Sequence, residues 1–316
     1  MSNPAEIFNK PPQTTRQHID QLIDRGLILD NTEIERVEHY LTHIGYYRLS
    51  AYLVPFEEKN IKDGKRNHQL IKGTQFNQVL DLYIFDRKLR ILVMEAIERI
   101  EVSVRANWSN AITLENADAH AYMNPNLFKK PWLHQKNLDK VTKELAQSEE
   151  QSIKHYKNKY AQPFLPPTWA MIETLTFGSL SHWFANTQST EVKKIVTKSL
   201  GLPTNEVTQS VLQSLSLIRN ICAHHGRLWN RQLVKQLPNI RKLKTYMVIE
   251  QVTTKDGKSQ QQPNRKLFNY LLTINHIMQT IQPKTSWSQR LDQLLATLPA
   301  NYLQKMGLPI TWQGFA

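Results

Sequence analysis

The sequence feature that most constrains the fold is a long stretch from about residue 75 to 112 in which apolar residues recur every three or four positions. This spacing places the apolar side chains on one face of an α-helix, whereas in a strand they would point to both faces. The chain also has only 10 glycines in 316 residues, so few positions disfavour helix. The apolar face comprises Leu82, Phe85, Leu89, Leu92, Ala96, Ile100, Val104, Trp108 and Ala111. A helix of this length with one apolar face predicts the backbone of a helical bundle.

The same periodicity predicts helices along the rest of the chain, near residues 15–25, 31–44, 45–52, 125–160, 169–175, 179–185, 190–200, 205–225 and 265–280. One exception lies between Tyr246 and Gln261, where β-branched residues precede an Asp256-Gly257 turn and predict a β-hairpin. We therefore predict an all-α bundle with one small β-hairpin near the C-terminus. We expect residues 1–72 to form an N-terminal helical lobe and residues 73–316 a helical domain with a basic C-terminal extension.

Charged residues occupy the other side of the long helix: Asp86, Arg87, Arg90, Glu98, Arg99, Glu101 and Arg105. A carboxylate and a guanidinium one turn apart can pair, and interior ion pairs of this kind are as common as functional ones. We expect Asp86 or Glu101 to pair with an arginine in a structural contact.

Composition excludes several classes of protein. The single cysteine, Cys222, excludes a disulfide framework and any zinc site with several cysteines. His39 and His43 are one turn apart but have no evident third ligand, so no metal site is predicted. The sequence has no apolar run of about 18 residues, and because its first residues lack the basic and apolar regions of a signal peptide, we expect none. We expect a soluble, cytoplasmic protein that does not contact membranes.

Positive charge is concentrated in the C-terminal half. Residues 1–150 carry a net charge of −1 and residues 151–316 carry +14, which together give the total of +13. Such an excess of Lys and Arg attracts phosphate backbones and releases their counterions. The asymmetry favours a nucleic-acid partner. A soluble protein whose isoelectric point is incidentally high would have the same excess of Lys and Arg.

The helix from about residue 205 to 225 carries residues suited to phosphodiester chemistry. An imidazole can exchange a proton near neutral pH, a guanidinium can hold a phosphate oxygen, and an amide can orient either of them. At about 100° per residue, Asn220 and His224 share a polar face, whereas Arg219 lies about 140° from His224. A second copy of the helix across a two-fold axis would bring one Arg219 to the other His224. His225 falls on the core side, as a packed or capping residue, and Gly226 is expected to end the helix.

The string RNICAHHGRLWNR, Arg219 to Arg231, resembles the signature of HEPN ribonucleases, in which an arginine and a histidine are separated by four to six residues. More narrowly, the chain resembles bacterial abortive-infection proteins of the Abi D/F type over about residues 10–235. The supporting blocks, in chain order, are YYRLSAY at 46–52, LYIFDRKLR at 82–90, IEVSVR at 100–105, PPTW at 166–169 and FGSLS at 177–181. An arginine and a histidine at this spacing are common in proteins and are weak evidence. The extended string, in order with the other blocks, is specific to the family.

The resemblance implies a HEPN-like bundle and a phage-defence or toxin–antitoxin protein that cuts RNA as a homodimer, without a metal or other cofactor. It implies that His224 acts as general base or acid, that Arg219 stabilises the pentavalent phosphorane, and that Asn220 orients His224 or the phosphate. It also implies restraint by a structured noncoding RNA.

Basic residues with interleaved aromatic side chains follow the motif and predict an RNA-holding surface, with phosphates on the cations and bases on the rings. The predicted RNA-binding residues are Arg227, Trp229, Arg231, Lys235, Arg241, Lys242 and Lys244, with Tyr246 beside them. Two alternatives stay open. The chain could be a non-catalytic RNA-binding protein in a complex with a structured noncoding RNA, or, least favoured, a helix-turn-helix DNA repressor built on residues 14–54.

Overall fold

The computed structural model describes residues 9–58, 66–253 and 256–316. Within these ranges the chain forms thirteen α-helices, several short 3-10 turns and one two-stranded antiparallel sheet. The predicted fold class, mostly α with one small hairpin near the C-terminus, is confirmed. The chain divides into two compact units, Met1–Arg87 and Lys88–Ala316. The domain boundary at residues 72/73 remains a prediction.

The first unit contains three short helices that the sequence predicts closely: α1 (Thr15–Asp24), α2 (Ile34–Ile44) and α3 (Tyr46–Leu53). A capping box begins α1, because the Thr14 hydroxyl accepts the Gln17 N–H while the Gln17 side chain accepts the Thr14 N–H. The three helices bury one side each, with Ile19, Leu22, Val37, Leu41, Leu49, Tyr52 and Leu53 in the core.

The long helix α4 (Phe76–Asn116) confirms the strongest sequence prediction. Each of the nine residues of its predicted apolar face is at most 8% exposed. Its polar side needs a correction, because Asp86, Arg90 and Glu101 are also buried. Burial of these charges demands partners, and the carboxylate of Asp86 accepts a hydrogen bond from the Tyr52 hydroxyl at 2.5 Å.

The second unit is a bundle with an aromatic core. After α4 come α5 (Pro131–Gln147), α6 (Gln151–Lys159), α7 (Thr168–Met171), α8 (Phe177–Asn186), α9 (Thr190–Ser199) and α10 (Asn205–Ala223). Helix α8 packs between α5 and α10 and places Trp183 at the centre of the core. Rings that lie within 6.2 Å of the Trp183 ring, centroid to centroid, belong to Trp108, Tyr122, Phe128 and His134. This core fixes α8, and through it the position of α10.

The C-terminal part begins with the predicted hairpin, formed by β1 (Ile249–Thr253) and β2 (Ser259–Pro263), and ends with α11 (Leu267–Ile281), α12 (Trp287–Leu295) and α13 (Ala300–Lys305). The fully buried Asn269 side chain joins α11 to the hairpin, because it accepts the Val248 N–H and donates to the Val248 carbonyl, both at 2.9 Å. The Trp287 indole donates to the Leu92 carbonyl of α4 at 2.8 Å. In the described ranges, every helix is either too short or too polar to cross a lipid bilayer.

Candidate functional site

Backbone hydrogen bonds close the C-terminal end of α10. The Gly226 N–H donates to the Ile221 carbonyl at 2.8 Å and the His225 N–H to the Cys222 carbonyl at 3.0 Å, which is the Schellman arrangement. The residue with the left-handed conformation is His225, with φ of +55°, and not a glycine. Gly226 closes the helix end, as predicted, and His225 is the capping residue; only its predicted position on the core side is wrong, because it is exposed.

Two of the three predicted catalytic residues share one face of α10. The side chains of Asn220 and His224 are exposed, one turn apart, and line a cavity of about 370 Å³. The His224 backbone N–H donates to the Asn220 carbonyl at 3.0 Å, so His224 is the C-cap residue that directly follows α10. The helical register thus delivers an imidazole and an amide to the same concave surface, as the sequence predicts.

Arg219 lies elsewhere on the helix and contacts the long helix α4. Its Nε is 4.0 Å from Oε2 of Glu101, and the Arg219 side chain is 31% exposed. In the described part of the chain, that Nε is buried without a hydrogen-bond partner. Within one copy of the chain, the structure therefore does not bring Arg219 and His224 to one substrate atom.

Glu101 is the residue that sequence reasoning did not connect with the site. It is only 7% exposed, and Oε1 accepts a hydrogen bond from Arg105 one turn further along α4. Arg105 also donates to the Leu175 carbonyl at 2.8 Å and pairs with the exposed Glu173 at 3.0 Å. The expectation that Glu101 pairs with an arginine is confirmed, and the pairing extends to Arg219.

Cations of the segment after α10 reach the cavity of Asn220 and His224. Arg231 lines it and donates through Nη1 to the Arg227 carbonyl at 3.3 Å. A Cβ added to Gly226 would meet the Ile221 carbonyl oxygen at 3.3 Å and that Nη1 at 3.6 Å, so the glycine relieves crowding against Ile221 at the helix end. The negative end of the α10 dipole stabilises a cation at this position.

Lys235 is the second cation that lines the cavity. Its Nζ donates to Oε1 of Gln213, and its carbonyl accepts the hydroxyl of Tyr270. Burial lowers the pKa of Lys235 and raises the pKa of Tyr270 to about 12, so Tyr270 stays neutral near pH 7. The two contacts hold the lysine at the edge of the cavity.

The rest of the predicted RNA-binding set divides by exposure. Arg241, Lys242 and Lys244 are exposed around a short 3-10 turn, Arg241–Leu243, and Tyr246 is 56% exposed beside them. Arg227 is half-buried.

Trp229 requires a correction. Its ring is fully buried, its indole donates to the Tyr302 carbonyl at 3.3 Å, and it packs against the Tyr302 ring. A ring with no exposed face cannot stack on a base, so Trp229 anchors the segment that carries Arg227 and Arg231.

The apolar walls of the cavity were not predicted. They come from Leu217 on the outer face of α10, from Val234, which is 84% exposed, and from the buried Ile218, Leu233 and Tyr270. Leu217 lies outside the buried stripe, and Val234 lies in a non-helical segment without periodicity. An isolated exposed apolar residue has no sequence signal that distinguishes it from ordinary surface. Among the described residues, no group of three or more His, Cys, Asp and Glu is placed to hold a metal ion.

Comparison with known proteins matches the chain to a protein family. A family model described as Abi-like protein matches residues 39–230, a range that includes α10, Arg219, Asn220 and His224. The match ends just before Arg231, so Lys235, the exposed cations around residues 241–244 and helices α11 to α13 lie beyond it. No curated protein and no solved structure matches the chain.

Proposed function

Because the chain belongs to the Abi-like protein family, we propose that it acts in abortive infection, a form of phage defence, by cutting RNA with a metal-independent HEPN site. The observation that carries the proposal is the exposed pair of Asn220 and His224 on one face of the end of α10, in a cavity with cations at its edge. Imidazole, amide and guanidinium groups can together supply the proton transfer and the charge stabilisation that cleavage of a phosphodiester bond requires.

The proposed reaction uses the RNA's own 2′-hydroxyl as nucleophile. His224 accepts the 2′-hydroxyl proton as the oxygen attacks the adjacent phosphorus, or donates a proton to the departing 5′-oxygen. The P–O5′ bond breaks and water takes part in the proton transfer that His224 does not perform, which leaves a 2′,3′-cyclic phosphate and a 5′-hydroxyl. Arg219 stabilises the charge on the pentavalent phosphorane, and Asn220 orients His224 or a phosphate oxygen.

A homodimer is part of this proposal. Asn220 and His224 face the cavity, whereas Arg219 faces Glu101, so one copy lacks a complete set on any one surface. Two copies related by a two-fold axis can bring Arg219 of one α10 to His224 of the other. Pairing through this helix end also gives Arg219 an anionic substrate in place of the Glu101 carboxylate.

Specific observations favour a second candidate, in which the chain binds a structured noncoding RNA and does not cut it. Arg219 is engaged by Glu101, and the exposed cations at Arg241, Lys242 and Lys244 lie outside the α10 site. Under the first proposal the same cations hold a restraining RNA beside a competent site, which fits a toxin–antitoxin arrangement.

The test is cleavage of single-stranded RNA by protein purified free of nucleic acid, in excess EDTA. We expect products with 2′,3′-cyclic phosphate ends from the parent. The cleavage rate of His224→Ala should be lower by a factor of at least about 100. His225→Ala is the matched control, because His225 is the adjacent exposed histidine and lies outside the cavity lining. If the parent and His224→Ala both bind RNA tightly and neither cuts it, the non-catalytic alternative replaces the nuclease.

A further inference from the structure

We infer that the cavity beside His224 binds the base of one unpaired nucleotide, with the nucleotide's phosphate at the edge formed by His224, Arg231 and Lys235. This inference rests on the proposed function, because it names the substrate of the same site as single-stranded RNA. It also assigns Leu217 and Val234, which the catalytic proposal does not use, to base binding.

The size and walls of the cavity fit a nucleobase. Its volume of about 370 Å³ is at the lower end of the range of small-molecule sites, about 300–1,000 Å³, which is suited to one nucleotide and too small for a base pair with its backbones. The walls are mainly aliphatic, with Leu217 and Val234 exposed at the opening and Ile218 and Leu233 buried behind them. The flat faces of a base are weakly hydrated, so moving them from water to aliphatic walls costs little free energy of hydration. The apolar contact over these faces then favours binding.

Exposed apolar side chains at the opening point to a ligand as well. Val234 is 84% exposed and Leu217 is 42% exposed, although both border a concave surface. Apolar side chains grouped at a concavity with a few polar groups are typical of ligand sites. Ser214 and Asn220 supply polar groups inside it, and Asn220 can both donate to and accept from a base edge.

The charges at the edge select an anion. In the described part of the chain, the charged residues that line the cavity are Arg231 and Lys235, both cationic. Arg231 is held at the end of α10 by its hydrogen bond to the Arg227 carbonyl, and Lys235 by Gln213 and Tyr270. An apolar cavity with cations fixed at one edge suits a ligand with an apolar ring and a phosphate.

The experiment measures binding of nucleoside 3′-monophosphates by calorimetry at low salt, with inorganic phosphate for comparison. We expect uridine or adenosine 3′-monophosphate to bind at least about tenfold more tightly than phosphate, because base contact adds to the ionic attraction. Val234→Trp fills the opening and should lower nucleotide affinity about tenfold or more while leaving phosphate affinity unchanged. Leu114→Trp is the matched control, since Leu114 is an 80% exposed leucine on α4 that does not line the cavity.

The outcomes separate this inference from the proposed function. Equal affinities for nucleotide and phosphate, or nucleotide affinity unaffected by Val234→Trp, would overturn base binding even if the protein cuts RNA. Nucleotide binding that Val234→Trp abolishes, in a protein that never cuts RNA, would support the inference and refute the nuclease. If Val234→Trp alters only the oligomeric state, the cavity takes a second copy of the chain and the inference is wrong. Melting curves of both tryptophan variants should match the parent's, because both sites are exposed.

Discussion

Substitution Glu101→Gln tests the ion-pair network that holds Arg219. Glutamine keeps the shape and can still accept a hydrogen bond from Arg105, so the change removes charge and little else. A charge-assisted hydrogen bond is worth about 1.5–3 kcal/mol and a neutral one about 0.5–1.5 kcal/mol, so the loss at Arg105 is about 1–1.5 kcal/mol. The pair with Arg219 is longer, at 4.0 Å, and partly exposed, so its loss adds at most about 1 kcal/mol.

The expected total is a decrease of about 2 kcal/mol in the free energy of unfolding of the unit Lys88–Ala316. For a unit of this size, that decrease lowers the melting temperature by about 4–8 °C, measurable by differential scanning calorimetry. Glu173→Gln is the matched control, because Glu173 supplies the second carboxylate that pairs with Arg105. The Glu173 side chain is 63% exposed, so its substitution should shift the melting temperature by about 2 °C or less. If Glu101→Gln melts with the parent, the buried carboxylate does not hold the arginines and our account of Arg219 is wrong.

Three further predictions concern packing, protonation and charge. Trp229→Ala should cost about 3–5 kcal/mol of unfolding free energy by urea titration, and a loss no greater than that of Trp169→Ala, at a 55% exposed tryptophan, would contradict its anchoring role. Burial, with a smaller contribution from Lys129, lowers the pKa of Lys193 to about 8. Since the unfolded chain then binds more protons between pH 8 and 10.5, stability should rise by up to about 3 kcal/mol across that window, and Lys193→Met should abolish the rise in pH-dependent melts. Lys242→Ala with Lys244→Ala should lower RNA affinity and reduce its logarithmic salt slope by about 2, and an unchanged slope would exclude contact with phosphates.

The sequence predicts the helices of this chain well because their determinants are local. The apolar face of α4 and the buried stripe of α10 follow directly from three- and four-residue spacing, and the hairpin follows from Asp256-Gly257 after a β-branched run. The shared face of Asn220 and His224 is equally local, since one helical turn separates them.

The features that sequence reasoning missed depend on contacts distant in the chain. Asp86, Arg90 and Glu101 fit the polar side of a helical wheel, but other elements cover that side and bury them. Trp229 follows Arg227 in a basic stretch and resembles an RNA-stacking residue, yet Tyr302, more than seventy positions away, covers its ring. Periodicity reports which side chains share a face and not what packs against that face.

We propose that Arg219 and His224 from two copies of the chain form one RNA-cutting site. The most direct measurement mixes Arg219→Ala protein with His224→Ala protein, each inactive alone, after dissociation and reassociation in EDTA. Random pairing makes half the dimers mixed, and each mixed dimer carries one intact site of two, so we predict recovery of about a quarter of parental RNA cleavage. A mixture as inactive as either variant alone, in which mixed dimers are shown to form, would contradict the claim.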